Sequence, residues 1–241
     1  MRAVEFEFQI QSDGETVIIT RLPDLISMFE EFVLRVSVLK TNPHITSFLD
    51  NLLEIEKIIK NVVDLINAWT EFQRHFIYLN GIFVLEEIAK SLPVESKYFT
   101  QVQALYGSTT ASFQATPQVW RINTRENFLT ILMKSNQECE LVRSGLLAFL
   151  ESKRGRFPRL FFLSNEELID IFGKGPLLVD SILEGGSQAF ITNLFEGVDS
   201  VRFHEVSQDI SHMLSKEGEE VHLTKEVMTR NTAVDSWLKT F

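Results

Sequence analysis

Val4, Phe6, Phe8 and Ile10 alternate with polar residues, and after Asp13 and Gly14 a β-branched run follows from Thr16 to Thr20. Period-two alternation lines one face of a strand, and Asp-Gly between two such runs is a hairpin signal, so a β-hairpin is expected at the start. From Pro23 the period becomes helical. After Pro43, apolar residues stand at Phe48, Leu52, Ile55, Ile59, Val62, Ile66 and Trp69, spaced alternately by four and three. Leu49, Leu53, Ile58, Val63 and Leu65 widen that stripe beyond a two-stranded coiled-coil seam, which predicts a long helix buried along a broad face. Asn80-Gly81 is the expected break on its way to Phe83.

Leu92-Pro93 interrupts next, and a shorter helix is expected from Glu95 to Tyr106. The Ser-, Thr- and Gln-rich stretch from Gly107 to Pro117 reads as a loop. Asn123-x-x-Glu126 has the form of a cap for a second long helix, whose seam is Phe128, Leu132, Ser135, Cys139, Val142, Leu146 and Phe149. Gly155 is its natural stop. The run Phe157 to Leu163 reads as a strand, and Ser164-Asn-Glu-Glu167 is a capping box opening a short helix that Gly173 closes. Pro176 starts another helix. Val201–Val206, Ile210–Leu214 and Glu219–Leu223 alternate and read as a three-stranded meander, with a last helix from Ala233 to Phe241. The expected fold is therefore mainly α: an elongated helical-bundle body with an N-terminal β-hairpin and a small C-terminal antiparallel β-meander. A division is expected at 155/156, with the hairpin and long helices in residues 1–155 and the strand, short helices and small sheet in residues 156–241.

Composition then narrows the class. The 241 residues are 44% hydrophobic, enough for a substantial core. A formal net charge of −10 opposes nucleic acid as a main partner, because phosphate binding needs a surplus of cations. Cys139 is the single cysteine, so no internal disulfide can form, and a reducing compartment fits. No apolar run approaches the roughly 20 residues that span a bilayer, and no membrane partner is expected.

Candidate chemistry is sparse. Ile171-Phe-Gly-Lys-Gly175-Pro lacks phosphate-loop spacing and reads as a helix-ending turn. His204, His212 and His222 fall one to a predicted strand but match no zinc signature, and His44 and His75 stand alone. Adjacent acids such as Glu86-Glu87 and Glu166-Glu167 point about 100° apart on a helix and cannot share a substrate. Cys139 sits in an apolar seam and reads as core rather than nucleophile. No catalytic residue, cofactor site or metal site is therefore expected. Lys153, Arg154, Arg156 and Arg159 complement a helix C-terminal dipole, and the alternative is a docking patch for an acidic surface.

One stretch carries a resemblance. GRFPRLFFLSNEELIDIFG, from Gly155 to Gly173, resembles the F-P-R-F-F-F-L-S-N-[DE]-E-L-L-[ED]-I-L signature of dynein heavy chains, in the linker that precedes the ATPase ring. Its matching positions are Arg156, Phe157, Pro158, Arg159, Phe161, Phe162, Leu163, Ser164 and Glu167. Other matches follow in order: Trp69, Gln73, Tyr78, Leu79 and Phe83; Pro93 and Glu95 with Phe99; Leu150 to Arg154; Phe195 to Val198; Gly218 and Glu219; and Trp237. Phe76 and Tyr106 stand where the family favours Trp, and Asn80-Gly81 replaces Glu-Pro, so looser packing is expected there.

The resemblance implies a non-catalytic mechanical lever within a microtubule motor, with ATP hydrolysed elsewhere in the parent protein. The implied partners are the AAA+ ring of the same heavy chain and, indirectly, microtubules and other dynein subunits. The implied place is the cytoplasmic cytoskeleton, and FFLSNEEL and FEGV lean towards the axoneme of cilia. Gly107 to Pro117 or Asn80-Gly81 would be hinges. The alternative reading is a helical interaction scaffold or tethering module without motor function.

Overall fold

Alternating apolar residues near the start form β1 (Glu7–Ile10) and β2 (Val17–Thr20), paired antiparallel with Phe8 opposite Ile19. The structure is a computed structural model that describes residues 4–11, 14–204, 206–229 and 232–241. Asp13 of the expected turn lies outside the described residues, whereas Gly14 has φ 77°, a conformation that favours glycine. The chain divides into two compact units, Met1–Asn80 with Lys97–Val142 and Gly81–Ser96 with Arg143–Phe241.

In the first unit the hairpin leads into α1 (Leu22–Lys40), a 3-10 turn (Pro43–Phe48), and the bulk of α2 (Leu49–Phe83). The α2 stripe is buried from Ile59 through Val62, Ile66, Trp69 and Phe76 to Leu79, but Phe48, Leu49, Leu53 and Ile55 are exposed. The expected burial along the whole helix is thus corrected for its first two turns. The break expected at Asn80-Gly81 is absent too: α2 is continuous to Phe83. One glycine costs a helix interior only about 1 kcal/mol, which flanking burial outweighs.

α4 (Pro93–Ala115) overturns the expected loop from Gly107, since it continues through the Ser/Thr stretch. Two of its hydroxyls bond back inside the helix: Thr110 Oγ1 donates to the Tyr106 carbonyl at 2.8 Å, and Ser108 Oγ to that of Leu105 at 3.1 Å. Phe113 on the same segment is buried. A second 3-10 turn (Val119–Thr124) then contains Asn123, which caps nothing; its Oδ1 instead accepts from Asn61 Nδ2. α5 (Phe128–Arg156) follows, and its seam from Phe128 to Leu146 is buried as the spacing predicts.

The second unit begins with the end of α2 and α3 (Glu86–Ser91), and resumes at the end of α5. The strand expected at 157–163 is a 3-10 turn, Pro158–Phe162. Proline fixes φ and donates no hydrogen bond, and the amides of Leu160 and Leu163 bond three residues back to Phe157 and Leu160. Phe157, Leu160 and Leu163 are buried at that period of three, while Phe161 and Phe162 are 62% and 71% exposed. α6 (Asn165–Lys174) has the expected capping box, with Ser164 Oγ accepting from the Glu167 amide and Glu167 Oε2 from the Ser164 amide. Gly173 does not end it. A Cβ there would lie 2.4 Å from Leu85 Cδ1, so this glycine permits close packing, and Gly175, at φ 47°, makes the exit.

α7 (Leu178–Leu183) and α8 (Ala189–Leu194) precede the meander β3 (Ser200–Phe203), β4 (Ile210–Leu214) and β5 (Glu220–Val227), ordered β3-β4-β5. α9 (Val234–Thr240) closes the chain with Trp237 and Leu238 in the core. The mainly helical fold with a hairpin and a small antiparallel sheet is as expected.

Candidate functional site

The basic cluster at the end of α5 is engaged within its own unit. Lys153 Nζ lies 3.1 Å from Asp235 Oδ1, and Arg156 contributes a second cation 3.5 Å from Oδ2. Asp235 is 5% exposed, so these cations compensate a carboxylate taken out of water. Lys153 also sits 5.0 Å and 5.5 Å from the centres of the Phe172 and Phe149 rings. Arg154 donates to the Leu163 carbonyl at 3.0 Å, pairs with Glu151 at 2.7 Å and lies over Phe161. Arg159 donates to the Leu194 carbonyl at 3.1 Å and covers Phe195 at 4.8 Å. Lys153 and Arg156 thus tie the end of α5 to α9, Arg154 ties it to the residue that follows the 3-10 turn, and Arg159 ties that turn to α8.

That turn therefore has two faces. Phe157, Leu160 and Leu163 anchor it in the core. Phe161 and Phe162 project from it into solvent, a side-by-side aromatic pair on a fixed base. In the same unit, Glu87, Phe149, Lys153, Phe172, Gly175 and Asp235 contribute to the lining of a cavity of about 300 Å³. Its cation and buried acid are already paired with each other.

Glu95 packs against α5, where a Cβ at Gly145 would meet Glu95 Cγ at 2.6 Å. Pro93 opens α4, Phe83 packs on the core of the second unit, and Trp237 lies within that core. Gly218, at φ 85°, makes the β4–β5 turn, and the Glu219 amide donates to Ser215 Oγ there.

The remaining family positions form a second cluster, in the first unit. Gln73 faces β2 edge-on: its Oε1 accepts from the Ile19 amide and its Nε2 donates to the Ile19 carbonyl, both at 2.8 Å. Tyr106 adds a bond from its hydroxyl to the Val17 carbonyl at 2.8 Å, and burial raises its pKa. Trp69 stacks on Tyr106 at 5.4 Å, and Phe76 stacks on the other neighbours, Tyr106 at 3.7 Å and Phe99 at 6.0 Å. The looser packing expected at Phe76 and Tyr106 is not found, because smaller rings close the gap by stacking. Leu79 is buried and Tyr78 is 40% exposed.

Cys139 is buried, and burial, then the nearby Glu138 and Glu140 carboxylates, push its thiol up to about 12. Such a group is protonated at neutral pH and a poor nucleophile. Of the three meander histidines, the structure brings His212 and His222 together, with ring centres 4.4 Å apart, and leaves His204 accepting from the amides of Val206 and Ser207. Among the described residues, no group of three or more His, Cys, Asp or Glu side chains is placed to hold a metal, and no helix is long and apolar enough to cross a membrane. Asp235 and Gly145 escape sequence reasoning because their partners, Lys153 and Glu95, are remote in the chain.

The whole chain, residues 1–241, matches the family model described as dynein heavy chain, N-terminal region 2. It is 27% identical to dynein axonemal heavy chain 12 of Rattus norvegicus over 98% of this chain and 7% of that one. It is 29% identical to dynein axonemal heavy chain 1 of Homo sapiens over 92% of this chain and 5% of that one. A cytoplasmic dynein heavy chain of Caenorhabditis elegans is 23% identical over 95% of this chain and 5% of its own length. The chain spans well under a tenth of the length of these relatives. A match along every residue to one family model shows that the chain belongs to the dynein heavy chain N-terminal region 2 family.

Proposed function

We propose that this chain is a non-catalytic linker segment of a dynein heavy chain, a lever that passes ATP-driven changes of the AAA+ ring into movement along microtubules. The observation that carries this reading is the family match over all 241 residues. The helices support it physically: α2 runs for 35 residues, α4 for 23 and α5 for 29, and long packed helices resist bending better than loops do. Residues 107–115, helical rather than loop, belong to the stiff part of such a lever. The motif from Arg156 to Glu167 has a structural side, the anchored turn, and an exposed side, Phe161 and Phe162, which we assign to contact with the motor ring. The ring of the same heavy chain is then the direct partner, and the cytoskeleton, in the axoneme or the cytoplasm, the place of action.

A heavy-chain motor carrying this chain as its N-terminal segment supplies the test. Ser144 and Gln137 are exposed on α5, and glycine at each costs roughly 0.5 kcal/mol of helix propensity, too little to unfold a domain. The softened motor should keep its ATP turnover and glide microtubules more slowly. Gliding at the parental speed would remove α5 from the force path, and equal loss of turnover and gliding would point to a role in ring assembly.

A further inference from the structure

His212 on β4 and His222 on β5 are directly opposite in the antiparallel register, so their Cβ atoms leave the same face of the sheet. Their rings sit 4.4 Å apart between centres, nearly perpendicular. The hydrogen bonds around them fix where each ring carries its proton. The Ser211 hydroxyl donates its one proton to the Arg202 carbonyl at 3.2 Å, so its oxygen accepts from His212 Nδ1, 2.8 Å away. His222 Nδ1 lies 2.8 Å from the Leu223 carbonyl, which only accepts. In its neutral form each ring therefore holds its proton on Nδ1 and presents a bare lone pair at Nε2. For His212 that lone pair lies 3.8 Å from Glu220 Oε1, itself held by Arg202. A lone pair beside a carboxylate is an arrangement that a cation relieves.

We infer that His212 and His222 form a cross-strand clamp for a divalent transition-metal ion, with water completing the coordination. Imidazole nitrogens bind zinc at about 2.0–2.1 Å and also suit copper and nickel. A metal-binding histidine commonly donates its second nitrogen to a protein oxygen, which orients the ring and makes the bound nitrogen more basic. Both histidines already have that support. Glu220 stays paired with Arg202 and accepts from a metal-bound water rather than binding the ion. The site would pin β5, an edge strand of the sheet, to β4. His204 is not part of it, because two backbone amides occupy its Nδ1.

The experiment is calorimetric titration of the untagged chain with nickel chloride and, separately, zinc chloride at neutral pH, followed by thermal melting with and without metal. Saturable binding of one ion per chain is expected, weakened at least tenfold in His212→Ala and in His222→Ala and unchanged in His204→Ala. The metal should raise the melting temperature of the parent and of His204→Ala, but not of the other two. Circular dichroism identifies any variant that has lost its fold, and His212→Asn and His222→Asn, polar and smaller, then replace it. Absence of saturable binding to the folded parent overturns the inference, as does binding that survives loss of both rings.

Discussion

Gln73 uses a side-chain amide as though it were a strand residue, so its loss leaves two backbone groups of a buried residue without partners. Its two bonds satisfy both backbone groups of Ile19, a residue 2% exposed. Gln73→Ala leaves a buried N–H and a buried C=O without partners, at about 1–3 kcal/mol each. Gln73→Glu should cost a similar amount, because a carboxylate accepts from the Ile19 amide but repels its carbonyl. Urea unfolding should show a loss of about 2–4 kcal/mol for either variant, and a loss below about 1 kcal/mol in both would mean that water replaces the amide. The position was visible in the sequence through its likeness to a family glutamine, but its job was not. Its partners are backbone atoms 54 positions away, and neither spacing nor composition encodes such a bond. Cys139 is the contrasting case: its place in a four-and-three seam was enough to foresee burial, since that periodicity is itself the burial signal.

Elements were legible where a period is long and sustained, as in α5, and misleading where a single residue type was read as punctuation. Gly81 and Gly173 show why. Both are flanked by helical residues and both invite a break, yet α2 and α6 run through them. Nothing lies within 4 Å of a Cβ built at Gly81, whereas one at Gly173 would strike the Leu85 side chain at 2.4 Å. Gly81→Ala should therefore stabilise the protein by about 0.5–1 kcal/mol through helix propensity. Gly173→Ala should destabilise it by about 1–3 kcal/mol through overpacking. Equilibrium unfolding of the two variants side by side checks the pair. Destabilisation by Gly81→Ala would show that α2 needs the flexibility which the sequence suggested at Asn80-Gly81. The turn at 157–163 teaches the same lesson from the other side. Five apolar residues in seven look like a strand, but the three that are buried are three apart, and Pro158 sets the tighter helical path.

For the whole molecule, the decisive residues are those whose burial does not explain their character. Phe161 and Phe162 stand exposed on a turn that three buried neighbours and Arg154 hold in place. An isolated exposed aromatic is ordinary, but two adjacent ones on a fixed base keep their shape and are ready to meet a partner. In the chain alone, Phe161→Ala with Phe162→Ala should shift stability by no more than about 0.5 kcal/mol, the usual range for surface changes. In a motor whose ring receives them, covering each side chain is worth about 1.5–3 kcal/mol, and two together would change a docking equilibrium by a factor of roughly a hundred or more. The double variant should then leave the melting curve of the isolated chain where it was and slow microtubule gliding by the full motor. It should also raise ATP turnover per distance moved, because a lever that no longer seats on the ring lets hydrolysis proceed without a stroke. A lower melting point in the isolated chain would mean that the pair is part of the fold after all. Unchanged gliding would overturn the assignment of this pair to contact with the ring.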